Sequence, residues 1–591
     1  MLKPLTVFAA LTAGLILVNP AAAVSAQQAI DCPDADQLTV GMAPALAHVR
    51  YLADDALEGR GAGTNGARCA AQYIADQFEA IGLEGAGTDG SYFQAFPIRA
   101  GAVLGAESTL RTPQSTYTLT EDWIPFGYSA SAAVTGTLLY GGDGINRPGD
   151  TDNVYPTLDL TGHIVVVEDG DLRSPTNRAL QTDAHFKASV AAGRNAGGMV
   201  ILLRDGRDLP DLSGETRAAL GIPVAAVRGE AANRIRRAAR RGDRAFLSAS
   251  VQPRAVEARN VAALLPGSDP NLADEVLIIG AHYDHLGFGG EGSLDPDAFG
   301  VVHNGADDNA SGTSGLIEIA RRLSESDRRP ARSVLFLAFT AEEKGLWGSS
   351  HYVRNPLLPI AQTVAMLNMD MIGRLEGRTL TVMGVGTAEE WTDVLRAANQ
   401  STAQPLSIAT SPDGFGPSDH SSFYGEGLPV LHFFSNTHLD YHRPSDDWDK
   451  VDIEGLGQIV DLVSEVAFDV AGVSGSDERI ALTPIGPDEA LAHGQPSSST
   501  AGGYGPYLGT IPDMVPVDSG LRLTGVREGS PAADAGIRGG DIVVEFGGRE
   551  IGDIYAYTYA LQDHEPGDAV EIVVLRDGER WTLTAVLGDR R

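Results

Sequence analysis

Cysteine is nearly absent from this 591-residue chain: Cys32 and Cys69 are the only two. In an oxidising compartment they could close one disulfide; otherwise they are two buried thiols. Basic residues are scarce, 44 against 78 acidic, leaving a formal net charge of −34. A field of that sign repels phosphate backbones and excludes nucleic acid as an expected partner. The 70 Gly and 32 Pro fall short of the ~25–30% that marks disordered or collagen-like chains. No Gly-x-Ser-x-Gly elbow occurs, which disfavours a serine hydrolase. No long apolar run occurs beyond residue 18, so no membrane span is expected once the leader is removed. What is present is globular: 43% hydrophobic and 21% charged residues, enough for several buried cores.

Residues 1–26 have the form of an export signal. Lys3 supplies a positive start, Leu5–Val18 is apolar but too short to cross a bilayer, and Val24-Ser25-Ala26 offers small residues for cleavage. The expectation is an exported protein, periplasmic or secreted.

From Ala35 to about Gly101 the pattern reads as helical, with apolar residues at three- and four-residue spacing in Pro44–Glu58 and Cys69–Ile81. Gly61-Ala62-Gly63-Thr64-Asn65-Gly66 matches the dinucleotide fingerprint. That fingerprint needs a strand running into it, and here a helical pattern precedes it, so it reads as a turn. Residues 130–255 read as an inserted module with strands at Gly162–Val167, Met199–Leu203 and Ile222–Val227. Its basic run Arg234–Arg244 reads as a solvated helix face rather than a polyanion site. Residues 256–473 alternate strands and helices, the signature of an α/β domain with a largely parallel sheet. Residues 474–503 are rich in Ser, Gly and Pro and read as a linker, and 504–591 as a small β-rich module.

Chemistry-bearing residues collect at the strand ends of the α/β segment. His282 follows an apolar strand, and Asp284 stands two residues on, placed to orient an imidazole. Asp307-Asp308 precede a helix, where they serve as caps or as a carboxylate shared by two cations. Glu342 and Glu343 follow Val334–Phe339, and two neighbouring carboxylates there can divide into one metal ligand and one free base. Asp370 closes an apolar strand, which is costly unless the carboxylate is paired or bound to metal. His442 lies in the loop before the final helix.

These five blocks, in this order, resemble the exported di-zinc aminopeptidases of metallopeptidase family 28. The resemblance covers 35–472 and implies a zinc-exopeptidase fold, a mixed, largely parallel sheet flanked by helices; 27–129 would then be the N-terminal part of the peptidase domain. It implies two zinc ions per chain: His282 and Asp370 on one, Glu343 and His442 on the other, Asp307 bridging. Glu342 matches the family's general base and Asp284 the partner of His282. The substrates implied are peptides with a free N-terminus. Glutamate-type carboxypeptidases on the same scaffold, or a silent peptide-binding protein, are the alternatives. Residues 130–255 resemble the protease-associated domain. Gly529–Val543 resembles a PDZ domain, with Tyr507-Leu508-Gly509-Thr510 at the loop that receives peptide C-termini. Where some relatives carry an oxyanion-stabilising tyrosine, this chain has Phe415; Tyr424 and His420 remain open as donors. His303 and His438 flank the matched loops and face either substrate or solvent.

Overall fold

The computed structural model describes residues 32–589 apart from 145–159, 170–183, 213–216, 218, 291, 296–297, 299, 376–378, 474–480, 487–505, 514–516, 518–519, 528, 553, 563 and 565. The signal-like leader and most of the expected linker lie outside the described residues.

The apolar runs of the α/β segment become a nine-stranded central sheet. Its strands are β1 (Glu84–Gly85), β2 (Phe93–Leu104), β3 (Val251–Leu265), β4 (Val276–His282), β5 (Ser333–Phe339), β6 (Thr363–Met369), β7 (Leu380–Met383), β8 (Ile408–Ser411) and β9 (Val430–Phe434). They lie in the order β1-β3-β5-β4-β6-β9-β7-β8, with β2 paired to β3. The middle four, β5-β4-β6-β9, are mutually parallel, while β3 runs antiparallel to β5 and β7 antiparallel to β9. Every residue of β4 and β5 is buried, as expected for strands covered by helices on both faces. One face packs against helices Asn65–Ile81, Gly312–Glu325 and Ile453–Ala471 through Phe78, Leu316, Ile319, Val463 and Phe336. Two of these helices have clear local limits. Thr64 caps the first through Ala67 N–H and Gly82 ends it in the left-handed region; Asp452 caps the last through Gly455 N–H.

Two sequence expectations are corrected here. The helical reading to Gly101 fails at Phe93–Leu104, which is strand β2; Phe96 and Ile98 alternate with exposed neighbours at a two-residue period. The inserted module begins before residue 130: its eight-stranded sheet includes Thr109–Thr112, Ser115–Tyr117 and Trp123–Pro125 and continues to Arg244–Ser248. The glycine-rich stretch leads from a short turn, Asp55–Arg60, into helix Asn65–Ile81 with no strand before it. Cys32 and Cys69 form a disulfide.

In the inserted domain, helix Gly229–Arg241 buries Ala231, Ala232, Ile235, Ala238 and Ala239 and turns its arginines outward. Arg236 pairs with Glu168, Arg237 with Glu230 and Arg241 with Asp243, so the basic run is answered locally. The C-terminal domain is a six-stranded sheet with helix Ile554–Gln562 packed on it around Leu523, Phe546, Ile572 and Val574. That helix also touches helix Ala184–Ala192 of the inserted domain. Among the described residues, no helix is long and apolar enough to cross a membrane.

Candidate metal centre

All five sequence blocks converge beyond the carboxyl ends of the parallel strands, where open α/β sheets gather ligands. His282 ends β4, Glu342 and Glu343 follow β5, Asp370 follows β6, and His442 lies in the loop after β9. They form two adjoining groups, His282 with Glu342 and Asp370, and His285 with Asp308 and Glu343. In the first, His282 Nε2 is 3.2 Å from Asp370 and 3.9 Å from Glu342. In the second, His285 Nδ1 is 2.6 Å from Glu343 Oε1, and His442 Nε2 stands 3.3 Å from Glu343 Oε2.

Asp308 joins the two groups. Its Oδ1 is 3.3 Å from His282 Nε2 and its Oδ2 is 3.2 Å from His442 Nε2. The expectation that Asp307 bridges is therefore corrected by one residue. Asp307 turns the other way, accepting from Gly373 N–H (2.6 Å) and Ser311 Oγ (3.0 Å), with His438 Nε2 at 3.1 Å. The local backbone explains the division. Gly305 has φ +54°, and a Cβ there would lie 2.1 Å from the Asp308 carbonyl oxygen, so the chain folds back sharply. The N–H groups of Asp307 and Asp308 then both donate to Asp446 Oδ2, at 2.9 and 3.1 Å. Arg374 holds Asp446 from the other side.

Asp284 accepts from Glu342 N–H at 3.1 Å. Its carboxylate is 3.9 Å from His282 Nδ1, whereas its backbone carbonyl is 3.2 Å away; the main chain makes the closer orienting contact. His442 is oriented in the same manner by the Gly292 carbonyl, 2.7 Å from Nδ1.

Two contributors escaped the sequence reading. One is His285, three residues beyond His282 and outside the expected His-x-Asp pattern. The other is Arg60, fully buried, whose guanidinium donates to the carbonyls of Leu52, Tyr283, Asn304 and Gly305 and so laces the loop after β4 to the turn before Asp307. Burial lowers its pKa to about 10, against the opposing pull of Asp284, Asp308 and Asp446.

The remaining candidates lie elsewhere. Phe415 and Tyr424 meet edge to face at 4.7 Å within an apolar cluster with Phe423 and Tyr352. His420 stacks on His432 at 4.3 Å, buried, and burial drives its pKa well below the usual range. His303 is buried and meets Ser293 Oγ at 2.8 Å, so it does not face solvent; His438 serves Asp307.

The charge balance is that of a cation site. Burial, reinforced by Asp370 and Glu343, pushes the Glu342 carboxyl well above the usual carboxylate range. Burial also pushes Asp284 up to about 6. Crowded buried carboxylates interleaved with imidazoles fit divalent metal with nitrogen and oxygen donors.

The model of peptidase family M28 matches residues 260–467, and that of the PDZ domain matches 506–587. Among curated proteins, the chain is similar to Aminopeptidase YwaD of Bacillus subtilis, 27% identical over 53% of this chain and 63% of that protein. It is also similar to Leupeptin-inactivating enzyme 1 of Streptomyces exfoliatus, 32% identical over 31% of this chain and 37% of that protein. The matches thus span less than two thirds of either relative. Among solved structures, a zinc aminopeptidase from Bacillus subtilis is 22% identical with a TM-score of 0.47, covering 74% of this chain and 96% of that one. The chain carries a peptidase family M28 domain over residues 260–467, followed by a PDZ domain over residues 506–587.

Proposed function

We propose that the protein is an exported di-zinc aminopeptidase that removes N-terminal residues from peptides. The observation that carries this reading is the joining of two His-carboxylate groups by one carboxylate, Asp308, at the mouth of the parallel sheet. His282 and Asp370 would hold one zinc, Glu343 and His442 the other, and Asp308 would serve both. When bound, such a pair supplies the Lewis acidity that activates water and polarises the scissile carbonyl.

The protein's own residues do the rest. Glu342 accepts the proton of the attacking water and delivers it to the leaving amine. The bond from its N–H to Asp284 fixes the loop that presents it. His285 holds Glu343 through Nδ1. Phe415, packed away from the centre, offers no hydroxyl to the developing oxyanion. Tyr441, stacked on His442 at 3.9 Å, is the hydroxyl-bearing side chain we assign to that oxyanion.

Metal analysis combined with a substrate panel tests the reading. Two zinc ions per chain and hydrolysis of aminoacyl and free peptides, abolished by N-terminal acetylation, are expected. Efficient cleavage of acetylated peptides overturns it.

A further inference from the structure

The PDZ domain does not hang free of the peptidase domain. Arg527 Nη1 donates to Asp413 Oδ2 at 2.7 Å, and Arg354 at the end of helix Trp347–Arg354 pairs with Asp513. Between these ion pairs the contact is apolar. Ile511 packs into the cluster of Phe415, Phe423 and Tyr424, and the Phe415 ring lies so close to Gly525 that a Cβ there would sit 2.7 Å from its tip.

What Arg527 grips is the start of a loop that backs the metal centre. The second carboxylate oxygen of Asp413 accepts from Phe415 N–H at 2.9 Å, so one side chain both meets Arg527 and shapes the turn. Five residues on, Ser418 Oγ accepts from Asn368 Nδ2 at 2.9 Å, and Asn368 also contacts His432 at 3.1 Å. Asn368 lies on β6 two residues before Asp370. Asp419, next in the loop and fully buried, lies in the field of His282 and Asp370. A continuous path of short contacts therefore runs from Arg527 to the strand that presents Asp370.

On the PDZ side, Arg527 N–H donates to the Gly509 carbonyl at 2.7 Å, within the Tyr507–Thr510 loop. The Thr510 hydroxyl is bonded to Tyr557 of helix Ile554–Gln562, so the start of the expected peptide groove is spanned by the domain's own side chains. A docked wall fits these contacts better than a tethered receptor for distant peptides.

We propose that Arg527 is a positioning residue of the metal centre: through Asp413 it holds the 413–420 loop against Asn368 and so sets the placement of Asp370. This rests on the aminopeptidase reading for its consequence in turnover, though not for the coupling itself.

The test uses the full-length protein with Arg527→Met and Arg527→Lys, followed by amide hydrogen exchange and by kinetics on a short aminoacyl p-nitroanilide. Arg527→Met should accelerate exchange across 412–424 and 366–371 and lower kcat about tenfold, in line with the cost of a misplaced site, with KM moving less. Arg527→Lys should restore most of both. Exchange confined to 506–589, unchanged kcat beside a loosened loop, or equal loss in Met and Lys variants each overturns the proposal. If the wild type fails to hydrolyse the substrate, the aminopeptidase reading falls, and the exchange pattern at 412–424 and 366–371 still decides whether the coupling exists.

Discussion

The backbone N–H of Glu342 donates to the carboxylate of Asp284 at 3.1 Å, tying the segment after β5 to the end of β4. Glu342 and its neighbour Glu343 leave that anchored segment toward different groups, Glu342 toward His282 and Glu343 toward His285 and His442. Glu342→Gln should keep folding and zinc content while kcat falls ~10²–10⁴-fold, the usual loss when general acid–base catalysis is removed. Glu343→Gln should lose zinc and activity together. Zinc stoichiometry and single-turnover rates separate the two; metal loss in the first variant with retention in the second would reverse their roles.

The one-residue correction has its own test. Asp308→Asn should depress zinc occupancy sharply, because that carboxylate faces both His282 and His442. Asp307→Asn should leave occupancy near wild type, since its contacts are Gly373, Ser311 and His438. Titration with zinc under a competing chelator distinguishes them, and equal loss in both would undo the assignment.

Acid stability should depend on Glu318. Burial alone would raise its pKa, but His48 and Arg321 outweigh that and hold it at about 2. A folded pKa below the unfolded one means the stabilisation is complete above about pH 4.5 and is lost as pH falls toward 2. Glu318→Gln should therefore flatten the acid limb of the unfolding midpoint between about pH 4.5 and about 2. A limb as steep as wild type would show that other carboxylates govern it.

The Cys32–Cys69 bridge closes a 37-residue interval. Replacing both with serine should cost about 4 kcal/mol in the chain-entropy model. Urea unfolding of the oxidised protein, the reduced protein and the double variant measures it; three coincident curves would show that the bridge contributes nothing.

Much of the central sheet was legible because β4 is apolar from Val276 to Ala281 and β5 from Val334 to Phe339, and each run then meets a polar residue abruptly. Such a boundary marks where a parallel strand ends and where its loop becomes available for chemistry. What could not be read was orientation within a loop. Asp307 and Asp308 are chemically identical neighbours, and only the fold-back at Gly305 and the grip of Asp446 decide which faces inward. Strand β2 was hidden because Ala and Gly dilute its alternation. Arg60 was hidden because all its partners are main-chain carbonyls, which leave no trace in residue identity. The docking of Phe415 on Gly525 joins segments more than a hundred residues apart, beyond the reach of any periodicity.

The chain enters the inserted domain along β2 and returns along β3, and these two strands are hydrogen-bonded to each other from Phe93–Val261 to Leu104–Val251, with a register shift between Pro253 and Ala255. A domain carried on such a ribbon differs mechanically from one on a single flexible strand. Shear and torsion would have to break the ladder, whereas flexure perpendicular to the ribbon, at the irregular point, would leave it whole. The ribbon itself thus yields most readily to a nod in one plane, set by the sheet that also presents His282 and Asp370, while the contact between helices Ala184–Ala192 and Ile554–Gln562 braces the inserted domain from its far side.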